Sequence, residues 1–311
     1  MKHDIDLQYY PGWVRKAITF SNDDGNVPMD KKFLDIVRPA GILGTFNLCS
    51  HNISALPPEG YREMYRGYGI ANHVKYHPFV LTPEKEKPLA QEPFRESTAD
   101  PEKRYATDVP GLYRQVAARG WRYYATPEAY VRLVGECHRD LEALFGEGTV
   151  RGFVWPFSKQ PDASVRAGIC ALGYTDLRDS AKLEDSTSFA LPTDRTDWNM
   201  NAIHTSLLRV AALYEAYPDD GQLKFFCFGM HSVDYEREDK WEDLRIFAGR
   251  YGNRPQDFYY APVAGIFDYE DAVKAVVQTE NTLRNDTDIT LYLTVNGEKK
   301  TLPPHSTLTL G

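Results

Sequence analysis

No run of apolar residues in this 311-residue chain is long enough to cross a bilayer as a helix, so a membrane is not among its expected partners. Cysteine is scarce. Cys49, Cys137, Cys170 and Cys227 lie far apart, and the lack of any CxxC pair excludes a thiolate metal knuckle or a redox dithiol and leaves reduced residues in apolar or helix-like settings. Positive charge is also in deficit: 36 Lys and Arg against 44 Asp and Glu give a net charge of −8, with no basic cluster to hold phosphates. Nucleic acid is therefore excluded as a partner, and a neutral or cationic substrate suits the chain better. There is no internal repeat and no low-complexity tract. The opening Met1-Lys2-His3-Asp4-Ile5-Asp6 has no apolar run of the signal-peptide kind, so a cytoplasmic location is expected, with a trimmed export signal as the alternative.

What is present is an ordinary globular composition, 42% hydrophobic and 26% charged, which excludes disorder as the main state. Apolar and β-branched runs alternate with segments of helical period up to about residue 280, the pattern of repeated β-α units and a largely parallel sheet or barrel. Strands are predicted over 16–21, 42–49, 68–72, 150–155 and 223–230, with the last over 257–267. Helices are predicted from Pro28 to Val37, from Thr126 to the stop at Gly146, over 163–172 and over about 201–217. Residues 79–106, rich in Pro, Glu and Lys, read as an inserted loop or a lid. Two alternating runs around Asn296-Gly297 predict a hairpin, so the chain divides into an α/β part, 1–280, and a small β appendage, 281–311. An exposed edge on that hairpin is a candidate homodimer contact.

The chemistry is concentrated at three strand ends. The first strand runs directly into Asp23-Asp24-Gly25, where one carboxylate can hold a metal and its neighbour can move a proton. His73 and His77 stand four apart, so on one helical turn both imidazoles would face the same way. His231 follows the apolar run 223–230. One carboxylate and two imidazoles make a three-ligand set with room for water. Taken singly these signals are weak: Asp-Asp-Gly is usually a turn, two histidines four apart are often a surface accident, and a histidine closing a strand is often core.

As an ordered set they resemble a known family. Asp23-Asp24-Gly25, the Asn-His-x-x-x-His-Pro of residues 72–78, Trp155-Pro156-Phe157 and Met230-His231 are similar to the successive motifs of the polysaccharide deacetylases, the NodB-like carbohydrate esterase group. Residues 41–46 resemble that family's second strand, and the likeness covers roughly residues 15–270. The resemblance implies an α/β fold, a distorted (β/α) barrel, and metal-dependent hydrolysis of an acyl, typically acetyl, group from the amide of an amino sugar or related carbohydrate. It implies Asp24, His73 and His77 as metal ligands, Asp23 as general base and His231 as general acid. Trp155, Pro156, Phe157 and Trp198 are candidate contacts to a small-molecule or oligosaccharide substrate. By ligand type Zn²⁺ is the expected ion, with Fe, Co, Ni or Mn also acceptable.

Two departures from the family stand out. Val154 occupies the position of an arginine that orients the base, and Arg178 is the candidate replacement, against the bland reading of a surface arginine paired with Asp176 or Asp179. The acid that supports the catalytic histidine has no clear match; Asp194, Asp197 and Trp198 are nearest, with His204 just beyond. Two alternatives follow: a hydrolase of small non-sugar amides such as cyclic ureides or formamides, and a catalytically silent carbohydrate-binding protein.

Overall fold

The unbroken apolar run Phe225-Phe226-Cys227-Phe228 is buried on both faces, as a strand must be when helices cover a parallel sheet. The computed structural model describes residues 3–80, 124–125, 127–157, 163–179 and 186–310. In chain order the strands are β1 (Ile5–Tyr9), β2 (Lys16–Asp24), β3 (Thr45–Leu48), β4 (Gly69–Asn72), β5 (Phe79–Val80), β6 (Tyr124–Ala125), β7 (Val150–Val154), β8 (Leu177–Arg178), β9 (Ala202–Ile203), β10 (Lys224–His231) and β11 (Tyr259–Tyr260). They are followed by β12 (Val277–Gln278), β13 (Thr282–Asn285), β14 (Leu291–Val295), β15 (Glu298–Leu302) and β16 (Ser306–Thr309). The main sheet has the order β8-β7-β4-β3-β2-β10-β9, all parallel. Because β10 runs along the length of β2, the other edge of β2 is shared, by β11 opposite Ala17 and Ile18 and by β3 from Ser21 onward. The result is the distorted (β/α) barrel expected from the sequence.

Side-chain alternation along β2 divides the interior. Ile18 and Phe20 enter a core with Phe33, Phe46, Phe228 and Phe247, under the helices Val27–Val37 and Trp241–Tyr251. Ala17 joins a second core with Phe225 and Cys227, the helix Val263–Lys274 and the appendage residues Leu291 and Leu293. A third cluster packs the helix Pro127–Phe145 against Val74, Phe153 and Trp155.

Two expectations are corrected. The helix predicted from about residue 201 begins only at Leu207; Asn201 instead exchanges hydrogen bonds with the Cys227 backbone at 2.8 and 2.9 Å, which docks β9 onto β10. The strand predicted over 257–267 is two residues long, because Pro262 cannot continue the ladder and Val263 starts a helix, its N–H donating to Thr45 Oγ1 at 3.1 Å. The hairpin β14-β15 turns at Asn296-Gly297 as expected, both residues having positive φ. Its β14 edge pairs with β1 from the other end of the chain, leaving β15 as the outer strand of that sheet, and β12, β13 and β16 form a separate sheet. Of the segment 79–106, only Phe79–Val80 lies within the described residues, paired with Tyr124–Ala125; the loop-or-lid question lies outside them. Among the described residues no helix is long and apolar enough to cross a membrane.

Candidate metal centre and active site

Parallel strands bring their C-terminal ends to one edge, and three of these ends carry the ionisable residues. Asp23 and His231 are register partners on β2 and β10, so their side chains project from the same face of the sheet. Close approach of the two strands is allowed by Gly229, where a Cβ would collide with the Ser21 backbone. Asp24 would point away by simple alternation. Its φ of +77°, followed by Gly25 at +76°, turns its carboxylate back into the site.

The two histidines do not lie on a helical turn, contrary to the expectation from their spacing. His73 follows β4, and the loop after it contains two positive-φ residues, Val74 at +62° and His77 at +53°. A β-branched residue in that region is a true outlier and needs a cause. Asn72 supplies it: its Oδ1 accepts from Val74 N–H at 2.9 Å, while its Nδ2 donates to Val134 O and Tyr174 Oη, both at 2.9 Å. Lys75, held 3.3 Å from both Glu136 and Asp140, pins the loop further along, and its carbonyl contacts His51 Nδ1. The imidazoles therefore meet across a loop, with ring centroids 4.8 Å apart.

His73 Nδ1 lies 2.9 Å from the Val154 carbonyl, which orients Nε2 toward Asp24. Asp24 Oδ1 is 3.4 Å from Nε2 of both His73 and His77. The three candidate ligand atoms lie within 4.8 Å of one another. Donors held tetrahedrally at about 2.0–2.2 Å from one zinc ion stand about 3.3–3.6 Å apart, so the Asp24-His spacings match a shared cation. Asp24 Oδ1 and His73 Nε2 are buried with no hydrogen-bond partner, an arrangement that is costly unless a cation lies between them. Burial works against ionisation of Asp24, but the His73, His231 and His77 imidazoles around it hold its carboxyl far below the usual range. The residues fit a divalent ion.

Asp23 lies beside this cluster and is almost fully buried. Its Oδ1 accepts from Arg178 Nη2 and from Asn47 Nδ2, the latter at 2.6 Å. Burial would raise its pKa; the Arg178, His73 and His231 charges outweigh it and bring the pKa below the usual value. Arg178 is wholly buried on β8, so it is not the surface arginine of the bland reading; Asp176 instead accepts from the Trp198 indole. Asn47 was not anticipated. The available signal was a lone amide in the apolar strand Thr45-Phe46-Asn47-Leu48, in register with Asp23.

His231 Nδ1 lies 2.7 Å from Asp234 Oδ2, and its Nε2 is 3.9 Å from Asp24 Oδ2. Burial lowers its pKa, but the Asp234 hydrogen bond and the Asp24 and Asp23 charges push it up to about 9. The carboxylate beside the histidine is thus Asp234, from the helix Ser232–Arg237, and none of the acids near Trp198. Asp194 accepts from Thr196 N–H at 2.8 Å, Asp197 is 3.5 Å from Arg166, and His204 is 3.2 Å from Glu238. The candidate substrate contacts separate too. Trp155 and Pro156 are buried, Trp155 against Tyr130 and Phe153, and Trp198 is wedged between Phe225 and Phe267. Phe157 is 42% exposed, with its ring centroid 4.3 Å from that of His77.

No family model matches the chain, and no curated protein matches it. Among solved structures it is similar to the Xyl-CE4 domain of a multidomain xylanase from the hindgut metagenome of Trinervitermes trinervoides, with 13% identity over 83% of this chain and 92% of that one, TM-score 0.48. It is also similar to a family 4 acetyl xylan esterase from Clostridium thermocellum in complex with a cobalt ion, with 13% identity, 82% and 92% coverage and TM-score 0.47. A third is a peptidoglycan deacetylase from Bacillus subtilis, with 10% identity, 84% and 94% coverage and TM-score 0.45. At such identities the chemistry of this chain has to be read from its own residues.

Proposed function

We propose that the chain is a metal-dependent hydrolase of the polysaccharide deacetylase type, removing an acetyl or similar acyl group from the amide of an amino sugar. The observation that carries this reading is the convergence of Asp24, His73 and His77 on one point, with Asp23 and His231 in register beside it. Bound by those three residues, a divalent ion, Zn²⁺ by ligand type, would polarise the amide carbonyl and acidify water.

The remaining work belongs to side chains. Asp23 Oδ1 is occupied by two donors, Arg178 and Asn47, which leaves Oδ2 as the oxygen that takes a proton from the attacking water. The buried guanidinium keeps Asp23 ionised and aimed, the task left open by Val154. The Asp234 hydrogen bond at Nδ1 and the neighbouring carboxylates favour the protonated form of His231, so its Nε2 delivers the proton to the departing amine, which leaves as a neutral group and not as a strongly basic anion. The exposed face of Phe157 offers an apolar surface for a sugar ring.

A complete ligand set counts against metal-independent relatives, and Arg178 on Asp23 removes the motive for a silent binding protein. A cytoplasmic location and an oligosaccharide substrate belong to the same reading. The test is metal analysis of the purified protein together with deacetylation of N-acetylglucosamine oligomers. Asp23→Asn should keep the metal and lose about 10²–10⁴-fold in kcat. Metal-free wild-type protein, or full activity in Asp23→Asn, would contradict the reading.

A further inference from the structure

Asp30 is a fully buried carboxylate that the proposed reaction does not use. It lies in the first turn of the helix Val27–Val37, just after the Asp-Asp-Gly turn, and three neutral donors converge on it. Its Oδ1 accepts from Asn22 Nδ2 at 2.9 Å and from Ser232 Oγ at 2.5 Å, and its Oδ2 accepts from Tyr65 Oη at 2.8 Å. Two of these donors have telling positions. Asn22 immediately precedes the candidate base on β2, and Ser232 immediately follows the candidate acid on β10. One oxygen atom thus ties together the two strand ends on which proton removal and proton delivery depend.

Those ends need such a tie. Asp24 and Met230 both have positive φ, +77° and +113°, so the backbone leaves regular strand geometry where side-chain placement matters most. A carboxyl group shared by neutral donors is a costly way to fill a core, since an apolar side chain would pack there without desolvating a polar group. We propose that Asp30 is a positioning residue that sets the spacing of His231 relative to Asp23 and Asp24 by bridging Asn22 and Ser232. The inference rests on the hydrolase reading for its catalytic consequence and on geometry alone for its effect on His231.

The experiment compares wild-type protein with Asp30→Asn, Ser232→Ala and Tyr65→Phe, the last of which unties Asp30 only from the helical layer. Two readouts are taken: imidazole ¹H–¹⁵N correlations of the metal-free proteins, and kcat and KM on N-acetylglucosamine oligomers with bound zinc measured. Expected are a shifted or split His231 signal in Asp30→Asn and Ser232→Ala, unchanged His138 and His305 signals, and kcat lower by about tenfold or more at unchanged KM and zinc content. Tyr65→Phe should lower only the melting temperature. If Asp30→Asn cannot be purified folded, Ser232→Ala carries the test. An unmoved His231 signal overturns the proposal whether or not the wild type turns over, as does a loss of kcat in Tyr65→Phe equal to that in Ser232→Ala. A wild type inactive on the oligomers sinks the hydrolase reading alone, and the His231 signal then decides the role of Asp30.

Discussion

The two ends of β2 are built from the same kind of backbone and differ in what they do with buried polar groups. At the start, Lys16 donates to three carbonyls at the end of the helix Leu207–Ala216, those of Tyr214, Glu215 and Tyr217, at 2.8–2.9 Å, while Ala17 and Ile18 pack into apolar cores. At the finish, Asp24 Oδ1 and its neighbour His73 Nε2 have no hydrogen-bond partner, and Asp23 Oδ1 takes both Arg178 and Asn47. Satisfied polar burial holds a fold together. Unsatisfied or lopsided burial at a strand end, with strained φ values around it, marks a place kept ready for a ligand.

The largest break in this contrast should come from His73→Ala with His77→Ala. Zinc content is expected to fall to background and turnover with it, by more than about 10⁴-fold, as measured by metal analysis and oligomer deacetylation. Retained zinc would place the ion elsewhere.

Arg178→Ala should act next. It leaves Asp23 buried and unpaired, which costs about 3–5 kcal/mol at neutral pH in denaturant unfolding. Because the native pKa of Asp23 lies below its unfolded value, the stabilisation is present above pH 4 or so and disappears as pH falls through the native pKa, so the deficit should shrink in acid. The acid limb of kcat/KM should move to higher pH as Asp23 loses its cation. Untouched turnover would deny Arg178 a role in orienting the base.

Asp234→Asn sharpens the comparison at the partner strand. Asp234, Asp24 and Asp23 push the His231 pKa up to about 9, above the ordinary histidine value of about 6.5, so in the metal-free protein it contributes stability fully below pH 6.5 that is lost as pH rises through 9. Without Asp234 the alkaline limb of kcat should move toward neutrality, giving a loss of about tenfold at pH 8 and little at pH 6. A flat ratio across that range would remove Asp234 from the acid's support. The smallest effect on activity belongs to Ile18→Ala, at the packing end: about 2–5 kcal/mol of stability lost, with kcat unchanged below the melting transition.

The convergence of the candidate ligands Asp24, His73 and His77 was legible because they stand at or beyond the ends of recognisable strands, and parallel strands bring their ends together whatever lies between. The conformation holding the histidines was not. Spacing of four fits a helix, and the hydrogen bonds of Asn72 with Val74, Val134 and Tyr174, with the contacts of Lys75, override that local preference. Arg178 was readable as a candidate because a family arginine was missing at Val154. Asp234 carries no signal of that kind: the resemblance places a supporting acid near a tryptophan, whereas this carboxylate stands three residues after His231. Trp155 and Trp198 illustrate the limit of composition: an aromatic side chain carries the same apolar surface to a sugar or to a core, and in this fold both went to the core.

From the chain alone came the alternation of strands and helices, the strand ends that carry the ionisable residues and the chemical type of the proposed ligands, because periodicity and residue chemistry are local properties. Which carboxylate oxygen stays free, which carboxylate lies beside His231, that β1 joins the appendage and that Asp30 bonds to residues of two strand ends were decided only in the folded molecule. Each depends on contacts between residues from tens to almost three hundred positions apart, or on a turn whose geometry those contacts impose.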